Sequence, residues 1–317
     1  MNALVGIDIG GTNVKIGIIR YGEKFEVLRQ TSIETRAGDP SSVFVKRISD
    51  AVRKLVAEAG DVKIAGVGIG CPGLIEPTTG LIRTSPNMAS IVGVKLKDEF
   101  QKELGMGVEI QNDANAAALG ESLFGASKGC RNMVYFTLGT GVGGGVVCDG
   151  HLVIGADNAA TELGHLKVEW NDGALCGCGK RGCLEAYAGS AGILRIANGM
   201  ISKASGKTSL QVEGLTTKDI SLAAGKGDAV AKAIFFKVGE YLGRGMCLCI
   251  EALNPEKIII GGGASPAFDY LKPGIDAALK EHASFPFTRD RVQIMRSAFA
   301  DDVNIIGAAA TYLASHQ

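Results

Sequence analysis

The amino-acid sequence predicts an α/β fold in which two related domains enclose a cleft, and three observations support that prediction. Residues 4–9 and 14–19 have the apolar pattern of two strands joined by a glycine turn. Residues 133–138 and 144–148 repeat this strand–glycine–strand pattern in the second half of the chain. A length of 317 residues, 46% of them hydrophobic, is enough for two cores of ordinary size.

The first half continues with alternating helix and strand patterns. Asp39 and Pro40 precede a helix whose apolar positions keep helical spacing until Gly60. Three further elements are predicted before residue 111: a strand over 62–69, a helix over 95–104 and a short strand over 108–110. The next helix is expected to begin at Ala114, with Asp113 as its N-cap.

The second half adds further elements after the repeated opening. In chain order they are a turn at Asp149 and Gly150, a strand over 151–154, several helices between about 190 and 253, a strand over 257–260 followed by glycines 261–263, and a helix over 303–314. Glycine accounts for 45 of the 317 residues, about twice the usual share of roughly 7%. This enrichment indicates many tight turns and close backbone approaches.

Composition excludes several classes of function. No stretch reaches the 18 or more apolar residues of a membrane-spanning helix. The apolar segment 3–9 contains Asp8 and has no basic leader, so we expect a cytoplasmic protein without a membrane partner. The chain has 33 basic and 33 acidic residues, and no segment gathers lysine and arginine into a stripe. We therefore expect no nucleic-acid partner.

The glycine turn at residues 139–144 satisfies the pattern G-x-G-x-x-G, which favours a dinucleotide-binding dehydrogenase as one alternative. That fingerprint must open a helix, whereas residues 145–150 continue as a β-hairpin pattern. No G-x-x-x-x-G-K-[ST] sequence occurs, so a P-loop kinase is excluded at the motif level. The two glycine turns instead favour phosphate binding by backbone N–H groups.

Three cysteines, Cys176, Cys178 and Cys183, lie in one eight-residue window, and His165 precedes them by a short loop. Together they supply a tetrahedral Cys3His set, which is typical of a closed structural zinc site. Disulfides are the alternative, but Cys-x-Cys pairs seldom reach unstrained disulfide geometry and nothing in the sequence indicates secretion. The other five cysteines lie in apolar runs and are predicted core residues: Cys71, Cys130, Cys148, Cys247 and Cys249.

The cysteine segment also carries a family resemblance. Glu162-x-x-His165 followed by Cys-x-Cys-Gly-x-x-Gly-Cys-x-Glu resembles the signature of the ROK family, whose enzyme members are sugar kinases. Six other blocks fall in the order and spacing of that family: Asp8-Ile9-Gly10-Gly11-Thr12, Cys71-Pro72-Gly73, Pro86-Asn87, Asn112-Asp113-Ala114-Asn115, Leu138-Gly139-Thr140-Gly141 and Gly261-Gly262-Gly263. These blocks span nearly the whole chain.

The resemblance implies two ribonuclease H-like domains of the actin/hexokinase type with an interdomain cleft. A smaller α/β domain would comprise residues 1–113 together with 303–317, because the last helix returns to the first domain in such proteins. Residues 114–302 would form a larger domain with the zinc loop and nucleotide-binding turns. A homodimer or homotetramer is the assembly that the resemblance favours.

The implied activity is ATP-dependent phosphorylation of a hexose at its 6-hydroxyl, with Mg²⁺ on the nucleotide and glucose as the first choice of substrate. An N-acetylhexosamine kinase, acting on N-acetylmannosamine or N-acetylglucosamine, is the alternative. A sugar-sensing regulator that binds without turnover is a third reading. The complete base and phosphate-turn set argues against this regulator, because a protein that only binds sugar needs neither.

The resemblance also assigns roles to individual residues. Asp113 would be the general base, although an aspartate at that position could merely cap a helix. The sugar would contact Asn87, Asn112, Asp113, Glu162, His165 and Glu185. The nucleotide and its metal would lie beside Asp8, Gly10, Gly11, Thr12, Lys15, Gly139, Thr140, Gly141, Gly262 and Gly263. Lys15 could equally be a solvated strand lysine. His165 would use one ring nitrogen on zinc and turn the other toward the sugar.

The sequence departs from the family pattern at two positions. Family members usually have glycine immediately before Glu-x-x-His and again three residues earlier, where this chain has Thr161 and Asn158. A β-branched threonine is not expected to adopt the conformations open to glycine. We therefore expect the loop before Glu162 to be shaped differently near the sugar, which leaves the identity of the hexose open.

Overall fold

The computed structural model describes residues 2–22, 25–76, 78–86, 88–204, 206–299 and 302–316. Its strands are β1 Asn2–Ile9, β2 Asn13–Arg20, β3 Glu26–Glu34, β4 Lys63–Cys71, β5 Leu74–Ile75, β6 Ile82–Thr84, β7 Val108–Asn112, β8 Met133–Leu138, β9 Val142–Cys148, β10 His151–Leu152, β11 Lys257–Gly261 and β12 Gln293–Arg296. Its helices are α1 Ser41–Glu58, α2 Leu96–Leu104, α3 Asp113–Leu123, α4 Glu185–Ala188, α5 Ser190–Lys203, α6 Thr217–Gly225, α7 Ala229–Leu253, α8 Phe268–His282, α9 Pro286–Arg291 and α10 Val303–Ala314.

The two halves repeat one sheet topology. The first sheet has the order β3-β2-β1-β4-β7, and the second has the order β10-β9-β8-β11-β12. In each sheet the first three strands in chain order pair antiparallel and the last two add in parallel to the opening strand. The predicted repetition of strand–glycine–strand openings is therefore confirmed as two related sheets.

Strand pairing places Asp8 and the polar residues Asn112 and Asp113 at one edge of the first sheet. Asp8 pairs with Gly70 of β4, and Cys71 pairs with Asn112 of β7, in parallel register. Because the carboxyl ends of parallel strands meet at the same edge, Asp8 and the turn that follows β7 lie together there. That turn leads directly into α3 at Asp113.

The final helix α10 packs against the first sheet. Its backbone approaches β4 so closely that a Cβ on Gly68 would lie 1.7 Å from the carbonyl oxygen of Ala308. Such a distance is far inside van der Waals contact, so this crossing needs glycine. The chain therefore ends on the sheet with which it begins.

The structure corrects several predictions. Helix α3 begins at Asp113, one residue earlier than predicted, and Cys148 is exposed and Cys130 half-buried instead of both lying in the core. Seven elements were not predicted: β3, β5, β6, β12, α4, α8 and α9. Strand β3 is a polar sheet edge with no buried residue, so it lacks the apolar pattern on which strand prediction depends.

Within the described ranges, every helix is too short or too polar to cross a lipid bilayer.

Candidate active site

Asp113 is the first residue of α3, and Asn112 rather than Asp113 is its N-cap. The Asn112 side-chain oxygen accepts hydrogen bonds from Ala114 N at 3.0 Å and Asn115 N at 3.2 Å. The expectation that Asp113 is the N-cap is therefore wrong. Asp113 Oδ1 accepts from Ala114 N at 2.9 Å, which leaves Oδ2 for another partner.

Burial raises the pKa of Asp113 above its ordinary value, while hydrogen bonding to the Ala114 backbone opposes that rise. Loss of hydration is the larger of these two effects. A carboxylate with a raised pKa is a better proton acceptor than an exposed aspartate.

A cavity of about 530 Å³ lies between the two sheets and reaches Asp113. Its lining brings together seven of the predicted site residues: Asn112, Asp113, Gly139, Thr140, Gly141, Glu162 and Glu185. The volume lies within the range typical of small-molecule sites. Carboxylates and an amide therefore meet a glycine turn in one concave space, an arrangement that can hold a polyhydroxylated molecule against an anionic one.

Asp8, at the end of β1, is 93% buried. The pKa of Asp8 is raised to about 6, mainly by burial; the hydrogen bond from Asn304 opposes this rise, the charge of Asp113 adds to it and the charge of Lys15 reduces it. Asn304 Nδ2 donates to Asp8 Oδ2 at 3.1 Å, across the whole length of the sequence. Asn304 carried no signal that sequence reasoning used, since only the fold brings α10 to this edge.

The second glycine turn is tied to Glu185. Glu185 begins the short helix α4, and its Oε2 accepts a hydrogen bond from Val142 N at 3.1 Å. Ser190 N and Ser190 Oγ both donate to the carbonyl oxygen of Gly139, at 3.0 Å and 2.7 Å. The turn between β8 and β9 is thus held from both ends of α4.

The four predicted metal ligands converge. The ligand atoms of His165, Cys176, Cys178 and Cys183 all lie within 4.8 Å of one another. Cys178 Sγ and Cys183 Sγ are 3.7 Å apart. That separation is far longer than a disulfide bond and matches the edge of a tetrahedron with metal–sulfur bonds of about 2.3 Å. These residues can therefore hold a tetrahedral ion.

A cation that the sequence analysis missed also lies at this cluster. Lys167 Nζ is 2.8 Å from Cys183 Sγ. A hydrogen bond from the Lys180 backbone and, as a smaller effect, the charge of Lys167 lower the pKa of Cys178, which favours the thiolate form that binds metal. Lys167 lies two residues after His165, a spacing with no recognised motif.

Some predicted residues lie away from the cavity lining. The first glycine turn lies in the β1–β2 hairpin, at the same sheet edge as Asp8. The predicted phosphate-binding residues of this hairpin are not part of the cavity lining: Gly10, Gly11, Thr12 and Lys15. Gly262 and Gly263 follow β11, where Ala264 N donates to Leu138 O at 3.0 Å. His165 faces the cysteine cluster, and Asn87 lies outside the described residues.

The loop before Glu162 overturns one expectation. Asn158 has φ 58° and Thr161 has φ 66°, so both adopt the left-handed conformation usual for glycine. The prediction that Thr161 could not do so is wrong. A β-branched residue in this region is strained by about 1–3 kcal/mol and persists only where its surroundings hold it. Thr161 Oγ1 donates to Asn115 Oδ1 at 3.1 Å.

Comparison with known proteins gives consistent matches along the chain. The ROK family model matches residues 4–315. The sequence is 37% identical over 309 residues to a glucokinase of Halalkalibacterium halodurans, covering 96% of this chain and 92% of that protein. It is 36% identical over 312 residues to a glucokinase of Thermotoga maritima, covering 97% of this chain and 96% of that protein.

A solved structure of similar fold is the ROK family glucokinase from Streptomyces griseus in complex with glucose and AMPPNP. Its TM-score with this chain is 0.80 at 31% identity, and the alignment covers 99% of this chain and 100% of that one. This match along the full chain confirms the predicted fold class of two α/β domains of the actin/hexokinase type.

Proposed function

The chain belongs to the ROK family, and from that premise we propose that it is a glucokinase, which transfers the terminal phosphoryl group of ATP to the 6-hydroxyl of glucose. One observation supports this most strongly: the cavity of about 530 Å³ that joins Asp113, Glu162 and Glu185 to the second glycine turn. Similarity to glucokinases along almost the entire chain supports the same activity.

In the proposed reaction Asp113 is the general base. Its carboxylate accepts the proton of the sugar 6-hydroxyl while that oxygen bonds to the terminal phosphorus of ATP and the bond to ADP breaks. Because Asn112 caps α3, a change at Asp113 alters the base without removing the cap. The raised pKa of Asp113 strengthens its affinity for that proton.

The nucleotide phosphates are proposed to lie between the two glycine turns. The first turn comprises Gly10, Gly11 and Thr12, with Lys15 beside it, and the second comprises Gly139, Thr140 and Gly141; Gly262 and Gly263 are assigned to the adenosine. Mg²⁺ bound with the nucleotide supplies charge neutralisation at the phosphates. Asp8, whose buried carboxylate repels that of Asp113, offers a hard oxygen ligand on this side.

Sugar hydroxyls are proposed to contact Asn112, Asp113, Glu162 and Glu185, with His165 approaching through its second ring nitrogen and Asn87 completing the set. The cysteine cluster is proposed to bind one structural Zn²⁺, since thiolates and imidazole suit that ion. Zinc would fix the orientation of His165 and the path of the loop that ends in Glu185.

The same proposal includes the domain boundaries, the cellular location and the oligomeric state of the protein. Residues 1–113 with 303–317 form the smaller domain and residues 114–302 the larger one. The balanced charge of 33 basic and 33 acidic residues supports action on small molecules rather than nucleic acid, and we place the protein in the cytoplasm as a homodimer or homotetramer.

A two-step enzymatic assay tests the proposal. Purified protein is incubated with glucose, ATP and Mg²⁺, ADP release is followed, and the product is then offered to glucose 6-phosphate dehydrogenase. Glucose-dependent ADP release with a product that this dehydrogenase oxidises is the expected result. Glucose binding without ADP release would instead favour a sugar-sensing regulator.

A further inference from the structure

Loop 155–162 ends at Glu162. It has Asn158 and Thr161 at the two positions where the family pattern has glycine. Both residues have positive φ, which glycine adopts without strain. Retaining a β-branched side chain in this conformation costs conformational free energy. A side chain kept at such a cost is expected to make contacts that offset it.

Asn158 contacts the residue that lies two positions before Asp113. Its Nδ2 donates to Gln111 Oε1 at 3.3 Å and to the carbonyl oxygen of Ile75 at 2.6 Å. Gln111 Oε1 in turn accepts from Asn112 N at 2.8 Å. Asn158 is 95% buried, so these bonds are shielded from competing water.

Thr161 contacts the residue that lies two positions after Asp113. Its hydroxyl donates to Oδ1 of Asn115, which is buried on the first turn of α3. The two contacts therefore lie on either side of Asp113 along the chain, at Gln111 and Asn115. Glu162 follows Thr161 directly in the sequence, so the second contact fixes the backbone at the point where the Glu162 side chain enters the cavity.

We propose that Asn158 and Thr161 are positioning residues that tether loop 155–162 to the two sides of Asp113 and so preset the spacing between Glu162 and the base. The inference depends on the proposed function, because it assigns the tether to the sugar site of a hexose kinase. Both residues also line the cavity, but their side-chain donors are directed to protein oxygens, so we assign them a positioning role. Their effect is to order the sugar-binding loop before the sugar arrives.

Preorganisation determines which kinetic constant responds. If the tether is lost, the loop samples several conformations, and glucose binding must select the competent one, so apparent affinity falls. Once glucose is bound the loop is ordered again, and Asp113 on α3 is unchanged. KM for glucose should therefore rise much more than kcat falls.

The variants separate the hydroxyl, the strain and the flexibility of the loop. Thr161→Val keeps the branched shape and removes the hydroxyl, Thr161→Ser keeps the hydroxyl, and Thr161→Gly removes both hydroxyl and strain. Asn158→Gly removes the amide. Ala159→Gly is the matched control, because Ala159 is exposed in the same loop and has no polar side-chain group. Thermal melting checks that each variant is folded.

We expect KM for glucose to rise about tenfold in Asn158→Gly, Thr161→Val and Thr161→Gly, and up to about 10² in the Asn158→Gly/Thr161→Val double variant, with kcat within about threefold. Thr161→Ser and Ala159→Gly should stay close to wild type. The preference for glucose over N-acetylmannosamine should fall about fivefold in the affected variants, because a loosened wall admits the larger substituent.

A KM for glucose within twofold of wild type in folded Thr161→Val and Asn158→Gly, with only the melting temperature lowered, would overturn the tether and leave a purely structural role. If Asn158→Gly does not fold, the Thr161→Val and Thr161→Ser pair decides, because both retain the Asn158 contacts. Wild-type protein that fails to phosphorylate glucose contradicts the proposed function itself, whereas active wild type with unchanged variants contradicts only the tether.

Discussion

Cys176 Sγ lies 3.3 Å from Glu185 Oε1, so a candidate metal ligand touches a carboxylate that lines the cavity. The other oxygen of Glu185 accepts from Val142 N, at the end of the second glycine turn. One side chain thus connects the cysteine loop with both the proposed sugar and phosphate positions. Disturbing the metal cluster should consequently alter ligand binding as well as stability.

Replacing a metal ligand tests that connection. Wild-type protein should contain about one zinc per chain, and Cys178→Ser should lose most of it, melt at a lower temperature and bind glucose more weakly, because His165 and Glu185 lose their support. Metal analysis, thermal melting and glucose titration measure the three effects. Cys148→Ser, an exposed cysteine outside the cluster, is the control. Metal-free protein with full activity would remove the zinc site from the account.

Removing the base should slow turnover and spare binding. Asp113→Asn retains the shape of the side chain and leaves the Asn112 cap intact, so α3 should remain folded. We expect kcat to fall by about 10²–10⁴, the range for loss of a general base, with little change in the Kd for glucose. Asp98→Asn, an exposed residue in the first turn of α2, is the control. Near-normal turnover in Asp113→Asn would contradict the assignment.

Asp8 should make stability depend on pH. Its pKa is about 6 in the folded protein and near 4 in the unfolded chain, so the folded state binds the proton more tightly. The stabilisation is complete below pH 4 and is lost as pH rises through 6, amounting to about 3 kcal/mol. Urea unfolding without Mg²⁺ should show this loss in wild type relative to Asp8→Asn. Identical pH profiles would mean that Asp8 is not desolvated.

The first glycine turn should not tolerate a side chain. A Cβ on Gly10 would lie 2.8 Å from Asn13 O, the carbonyl that accepts the Gly10 N–H bond at 3.0 Å. Gly10→Ala should therefore open the turn and raise KM for ATP by about tenfold, because its N–H groups no longer converge on a phosphate. Gly38→Ala is the control, since its Cβ would meet nothing within 4 Å. An unchanged KM for ATP would separate this turn from the nucleotide.

Sequence reasoning reached the elements with a strong local signal. The two openings, α10 and the cysteine cluster combine apolar periodicity or ligand spacing within short segments, and each is present in the structure. Strand β3 was missed because it lies at the edge of its sheet and buries none of its residues, so its sequence carries little apolar pattern. The start of α3 was misplaced because Asn112 and Asp113 are both good caps and only the hydrogen bonds distinguish them.

The long-range contacts of the site were beyond the sequence. Asn304 meets Asp8 only because α10 returns to the first sheet. The conformation of Thr161 was predicted wrongly because local preference disfavours positive φ, whereas tertiary hydrogen bonding to Asn115 accompanies it here. Local propensity is a weak guide where the surrounding structure over-determines a residue.

The most direct test of the account is the sugar preference of the wild-type enzyme. Catalytic efficiencies are compared for glucose, mannose, N-acetylglucosamine, N-acetylmannosamine, fructose and allose at saturating ATP and Mg²⁺. The polar lining contributed by Asp113, Glu162 and Glu185 is expected to satisfy the hydroxyls of an unsubstituted hexopyranose and to leave partners unpaired with the other sugars. We predict that glucose leads the series. An N-acetylated sugar that leads glucose by tenfold or more would contradict the glucokinase assignment and establish an N-acetylhexosamine kinase instead.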